Sequence, residues 1–110
     1  MSAQRKSETC EEQLRSMCKN IADGITEGKA KYLNPEYEGT MEEVYSIEWI
    51  THQDHSYKAA RLLVAGGGPN IWVNLQTNTV DGYWGCDEVN HGFIDNIGLD
   101  DYLEEMHGCK

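Results

Sequence analysis

Residues 45–84 read YSIEWITHQDHSYKAARLLVAGGGPNIWVNLQTNTVDGYW, and the fold turns on how that stretch divides. Tyr45, Ile47 and Trp49 alternate with Ser46 and Glu48, the period-two pattern of a strand whose two faces meet different surroundings. His52-Gln53-Asp54-His55-Ser56 is a polar turn, and residues 57–65 (YKAARLLVA) form a second predicted strand. Gly66-Gly67-Gly68-Pro69-Asn70 is the strongest turn signal in the chain, because glycine accepts positive φ and proline fixes its own. Residues 71–75 are a third predicted strand. Gln76-Thr77-Asn78-Thr79 is a tight hairpin turn, and residues 80–84 are a fourth strand. Four such runs joined by short turns predict an antiparallel meander. Thr40-Met41-Glu42-Glu43 has the T-x-x-E spacing of a helix start, but the alternation behind it belongs to a strand.

Upstream, Thr9-Cys10-Glu11-Glu12 carries the same T-x-x-E spacing, here followed by Leu14, Met17, Cys18, Ile21 and Ile25 at steps of three and four. That stripe predicts a helix over 9–26, with Gly28 as its stop. Residues 31–39, with Asn34-Pro35 and Gly39, read as a connection. Downstream, residues 85–96 read as a loop. Leu99, Tyr102, Leu103 and Met106 then predict a short amphipathic helix closed by Gly108, with Asp100 and Asp101 in its first turn. The expected fold is α+β: a four-stranded antiparallel sheet flanked by an N-terminal and a C-terminal helix, in the order α-β-β-β-β-α. Both apolar helix stripes should cover one sheet face and leave the other to solvent or a partner.

A chain of 110 residues forms a single domain, here 1–110. Its 19 acidic residues outnumber 9 basic ones for a formal charge of −10, which argues against direct binding to nucleic acid or an anionic membrane. No apolar run reaches the length of a membrane span, and no apolar segment follows the N-terminus as in a secretory signal. Cys10, Cys18, Cys86 and Cys109 match no metal or redox spacing, so free thiols in a reducing compartment are expected, and with them a cytoplasmic location.

No catalytic motif or metal-ligand spacing is present, and no cofactor is expected. Gly66-Gly67-Gly68 leads through a proline into a strand, whereas a phosphate cradle opens a helix. At least two of Trp72, Tyr83 and Trp84 are expected in the core. One alternative is a metal-binding or enzymatic domain built on His52, His55 and His91 with the nearby acids Asp87 and Glu88. Another is a homo-oligomeric module, a homodimer for instance, whose open sheet face pairs with a second copy.

The charge distribution is more informative. Residues 1–30 hold five acids and five bases, and residues 31–80 hold six acids and three bases. Residues 81–110 hold eight acids against Lys110 alone, a net −7. A solvated helix usually interleaves bases with its acids, and this segment does not. Asp87, Glu88, Asp95, Asp100, Asp101, Glu104 and Glu105 are therefore the candidate contacts to a basic protein surface, with Phe93 and Ile94 as apolar anchors.

The stretch LVAGGGPNIWVNLQTNTVDGYW (63–84), followed by Asp95-Asn96-Ile97-Gly98-Leu99-Asp100-Asp101, resembles a group of small uncharacterised proteins encoded by phages and mobile elements. The shared pattern is a GGPN turn, a strand and GYW, and it covers roughly the C-terminal half. The overall profile is similar to that of anti-CRISPR proteins: short, acidic, single-domain inhibitors that occupy the nucleic-acid groove of a defence effector. The resemblance implies a non-enzymatic inhibitor acting as a nucleic-acid mimic in a bacterial host, with a CRISPR effector as partner. It brings no catalytic residues.

Overall fold

A computed structural model describes residues 10–30, 33–36, 41–85 and 87–108. The first helix, α1, spans Cys10–Thr26. Its predicted stripe faces inward: Leu14, Cys18 and Ile25 are fully buried, and Met17 and Ile21 pack against them. Arg15 and Lys19 pair with Glu11 and Asp23 one turn away on the outer side. The helix closes where the Lys29 and Ala30 amides donate to the Gly24 carbonyl, with Gly28 at φ +76° between them. Thr9 of the capping box, residues 31, 32 and 37–40 of the connection, and Cys86, Cys109 and Lys110 lie outside the described residues.

Five strands follow: β1 (Ser46–Thr51), β2 (Tyr57–Ala65), β3 (Asn70–Asn74), β4 (Thr79–Trp84) and β5 (Asp87–Gly92). All neighbours are antiparallel and the spatial order equals the sequence order, so the meander is as expected but one strand wider. The extra strand falls in the segment 85–96 that reads as a loop. DEVNHG has one buried apolar residue, Val89, and pairs along its whole length with β4. An edge strand needs only its backbone and one inward side chain, which leaves little hydrophobic pattern to read. Leu75, expected at the end of the third strand, lies in the turn instead. Its amide donates to the Ala60 carbonyl at 2.9 Å, and the Asn74 side chain accepts from the Gln76 amide beside it.

Residues paired across strands share a face, and neighbours along a strand point oppositely. One face carries Ile47, Trp49, Ala60, Leu62, Ile71, Val73, Val80, Trp84 and Val89, all in or against the core. Helix α1 lies on this face over β4 and β5, and the last helix, α2 (Leu99–Gly108), lies over β2. Its Leu99 and Leu103 are fully buried in the same core. Gly82 sets the approach of α1: a Cβ there would sit 2.5 Å from Cys18 Sγ and 2.8 Å from Leu14 Cδ1. Only glycine lets the helix backbone come this near.

Toward the β1–β2 edge of the same face, α2 is held by three rings. Trp49 and Tyr57 meet edge-on with centroids 6.2 Å apart, and His107 packs at a tilt against both, 5.3 Å from Trp49 and 5.9 Å from Tyr57. The expectation that two of Trp72, Tyr83 and Trp84 join the core is not met. Only Trp84 packs against it, while Trp72 and Tyr83 belong to the opposite face by register. The strands there alternate with the reverse phase, which fixes those two rings away from both helices.

Candidate binding surface

The segment joining β5 to α2 carries much of the predicted site, and its conformation is held by hydrogen bonds. The Ile94 amide donates to Thr26 Oγ1 at 3.0 Å, and Asn96 Nδ2 donates to the Thr26 carbonyl at 2.7 Å, tying the segment to the end of α1. Asp95 then turns both carboxylate oxygens onto the first amides of α2, accepting from Leu99 at 3.0 Å and Asp100 at 2.9 Å. Those amides have no partner within the helix, so Asp95 works as a helix cap. Asp100 accepts a 2.7 Å hydrogen bond from the Tyr57 hydroxyl. Burial first, and then Asp100, Glu104 and Asp95, push the Tyr57 phenol far above its usual range.

The nine predicted contact residues therefore separate. Phe93 is corrected outright: at 7 % exposure it is a core residue and cannot anchor a partner. Ile94 beside it is 62 % exposed, so the strand-to-helix segment turns one apolar side chain in and the next out. Asp95 and Asp100 are engaged in holding α2. Asp101, Glu104 and Glu105 are exposed and share the outer side of α2, at the i, i+3, i+4 spacing of one helix face. Asp87 and Glu88 begin β5, three strands from the β2 strand that α2 covers, and Glu88 points from the face opposite α2. The acids fall into two groups, one on the outer side of α2 and one at the start of β5 where Asp87 and Glu88 point to opposite faces, rather than the single C-terminal surface that their crowding in sequence suggested.

Neither group is neutralised from within. The ion pairs among the described residues are Arg15–Glu11, Lys19–Asp23, Lys29–Glu27 and Arg61–Glu48, all before residue 62. No described cation lies within pairing distance of the acids from Asp81 to Glu105.

The histidines are not brought together. His52 and His55 lie in the exposed β1–β2 turn, while His91 is on β5 at the opposite edge of the sheet, three to four strand spacings of ~4.8 Å away. No three of the described His, Cys, Asp and Glu residues are grouped to hold a metal ion. Among the described residues no helix is long and apolar enough to cross a membrane.

The sequence reading missed a buried acid. Asp81 is only 6 % exposed yet lies on the face away from the helices. It accepts from Thr79 Oγ1 and Asn90 Nδ2, each at 2.8 Å, and from Asn74 Nδ2 at 3.2 Å. The alternation of Thr79, Asp81 and Tyr83 against Val80, Gly82 and Trp84 is the signal that could have placed it. Through the sheet, its charge adds to burial in pushing the Cys18 thiol up to about 11, with Arg15 opposing.

Comparison with protein-family models, with curated proteins and with solved structures finds no match to this chain.

Proposed function

We propose that this protein is a non-catalytic interaction module that presents the outer side of α2 to a basic protein surface. A nucleic-acid-binding groove has the complementary charge, and an effector of the CRISPR type is the partner that the anti-CRISPR resemblance implies. The observation carrying the reading is that Asp101, Glu104 and Glu105 stand on one exposed helix face with no cation in pairing distance among the described residues. Three like charges at this spacing cost helix stability when nothing offsets them. A partner rich in lysine and arginine offsets them on binding and is drawn in by the same field. The exposed Ile94 lies near the start of α2 and adds an apolar contact beside the charge.

The competing explanation is that the charge serves solubility alone. Reversing Asp101, Glu104 and Glu105 to lysine separates the two when compared with reversing Glu36, Glu42 and Glu43, which are exposed and far along the chain. Both triple variants change the net charge equally. Binding to a lysine-rich peptide, measured by isothermal titration at rising salt, is expected to weaken about tenfold or more in the α2 variant only. Equal losses in both variants would reduce the proposal to net charge.

A further inference from the structure

The sheet face turned away from both helices already holds one cation, and the way it does so identifies a second place. On the β1–β3 side the Arg61 guanidinium lies 4.3 Å from the Trp72 ring centroid, and its Nη1 donates to Glu48 Oε1 at 2.8 Å. An aromatic face with a carboxylate beside it is a good seat for guanidinium, which is planar, weakly hydrated and able to stack while it hydrogen-bonds.

The β4–β5 side repeats that combination with no described cation paired to its carboxylates; Arg61 stands at its border, on the Trp72 ring that lies directly opposite Asp81. Tyr83 lies directly opposite Glu88, and Asp81 stands two residues from Tyr83 on the same face. Directly opposed side chains have Cβ atoms about 5 Å apart, so ring and carboxylate are neighbours. Tyr83 is half-buried and Glu88 exposed, and neither Glu88 nor Asp81 has a described Lys, Arg or His in pairing distance. The Asp81 oxygens already accept three hydrogen bonds, so Glu88 is the acceptor open to an incoming donor. Asp81 adds fixed negative charge behind it. The negative potential is felt at the ring itself: the Tyr83 phenol is pushed up by burial, then by Asp81 and Glu88, with Arg61 opposing.

We propose that the Tyr83–Glu88 corner of the open sheet face, backed by Asp81, receives an arginine side chain of a protein partner. The sign of the charge rejects phosphates and carboxylates. The ring favours guanidinium over a small, tightly hydrated cation. The inference rests on the reading of the protein as a binder of basic surfaces, and adds a contact on the side of the sheet opposite α2.

The probe is acetyl-Gly-Arg-Gly-amide, titrated into the full-length protein and followed by amide chemical shifts. The control peptide carries citrulline, which has the same shape without the charge. Saturable shifts at Tyr83, Glu88 and Asn90 are expected with arginine and not with citrulline. Glu88→Gln and Tyr83→Ala should each weaken the arginine response about threefold or more, while Tyr83→Phe, which keeps the ring, should retain it. Glu88 is exposed, so its variant reports on binding even where Tyr83→Ala perturbs the sheet. Equal responses to both peptides, no saturable shift at β4 and β5, or an unchanged Glu88→Gln variant each overturn the site. The α2 amides read the earlier proposal separately: α2 loss on charge reversal with a silent β4–β5 corner removes only this inference.

Discussion

The two faces of the sheet are made from the same five strands and obey different physics. Under the helices, Leu62, Ile71, Val73 and Val80 are fully buried and interlock with Leu14, Cys18 and Leu103. On the far face, Leu63, Trp72 and Tyr83 remain partly exposed, and cohesion comes from the Glu48–Arg61–Trp72 contact and the hydrogen bonds converging on Asp81. The first face excludes water and supplies stability. The second leaves ring surface and charge where another molecule can reach them. A partner contact built there leaves the core untouched.

The sharpest break between the faces is a pair of adjacent leucines. Leu62→Ala removes a fully buried side chain and should cost about 2–5 kcal/mol, from the lost apolar burial together with the cavity it leaves. Leu63→Ala, one residue on and facing outward, should cost under about 1 kcal/mol. Urea unfolding of both variants measures the difference. Near-equal losses would mean the outer face is packed as tightly as the inner one.

Gly82 tests how closely α1 rests on the sheet. Adding one methyl places it against Cys18 Sγ and Leu14 Cδ1, and overpacking of this kind costs roughly 1–3 kcal/mol. Removing the sulfur should relieve much of that, so Gly82→Ala is expected to cost less in a Cys18→Ala background than in the parent. Double-mutant unfolding data that add without coupling would place the strain elsewhere.

These contacts also explain what could and could not be read from residue order. The α1 stripe, the α2 stripe and four strands were legible because each buries a periodic apolar side. β5 was hidden because backbone pairing to β4 defines it and Val89 is its single buried apolar residue. Trp72 and Tyr83 were misassigned because aromatic residues on strands usually turn inward, and only the pairing register shows that these two do not. Exposure was equally hard to infer for Phe93 and Ile94, adjacent apolar residues of which one is core and one is surface. Counting acids located the charge along the chain. It could not show that Asp100 is committed to Tyr57, 43 residues away in the chain. The hydrogen bonds that Asp95 accepts from the Leu99 and Asp100 amides span only four and five residues, a local helix cap that a charge count passes over.

The smallest expected effect concerns a place where the two faces communicate electrically. Cys18 is buried on the inner side of α1, and the Asp81 charge from the far face helps burial to hold its thiol neutral up to about 11, above the ordinary 9.0. A group whose folded pKa is raised contributes its full stability below the unfolded value, here about 9, and that contribution is lost as pH rises through about 11. Stability should therefore fall across this window, by less than ~1.4 kcal/mol per pH unit for a single proton. Tyr57, raised by burial and by Asp100, adds a loss of the same sign beginning near its ordinary 10.0. Cys18→Ala removes the first contribution, so its unfolding free energy should decline less steeply between about pH 9 and 10, whatever its value at neutrality. Asp81→Asn removes the charge from the far face, together with at least one of the hydrogen bonds that its carboxylate accepts, and should flatten the pH dependence in the same region by a smaller amount, whatever it costs at neutrality. A slope that Cys18→Ala leaves unchanged would show that the thiol is not the group the fold keeps protonated.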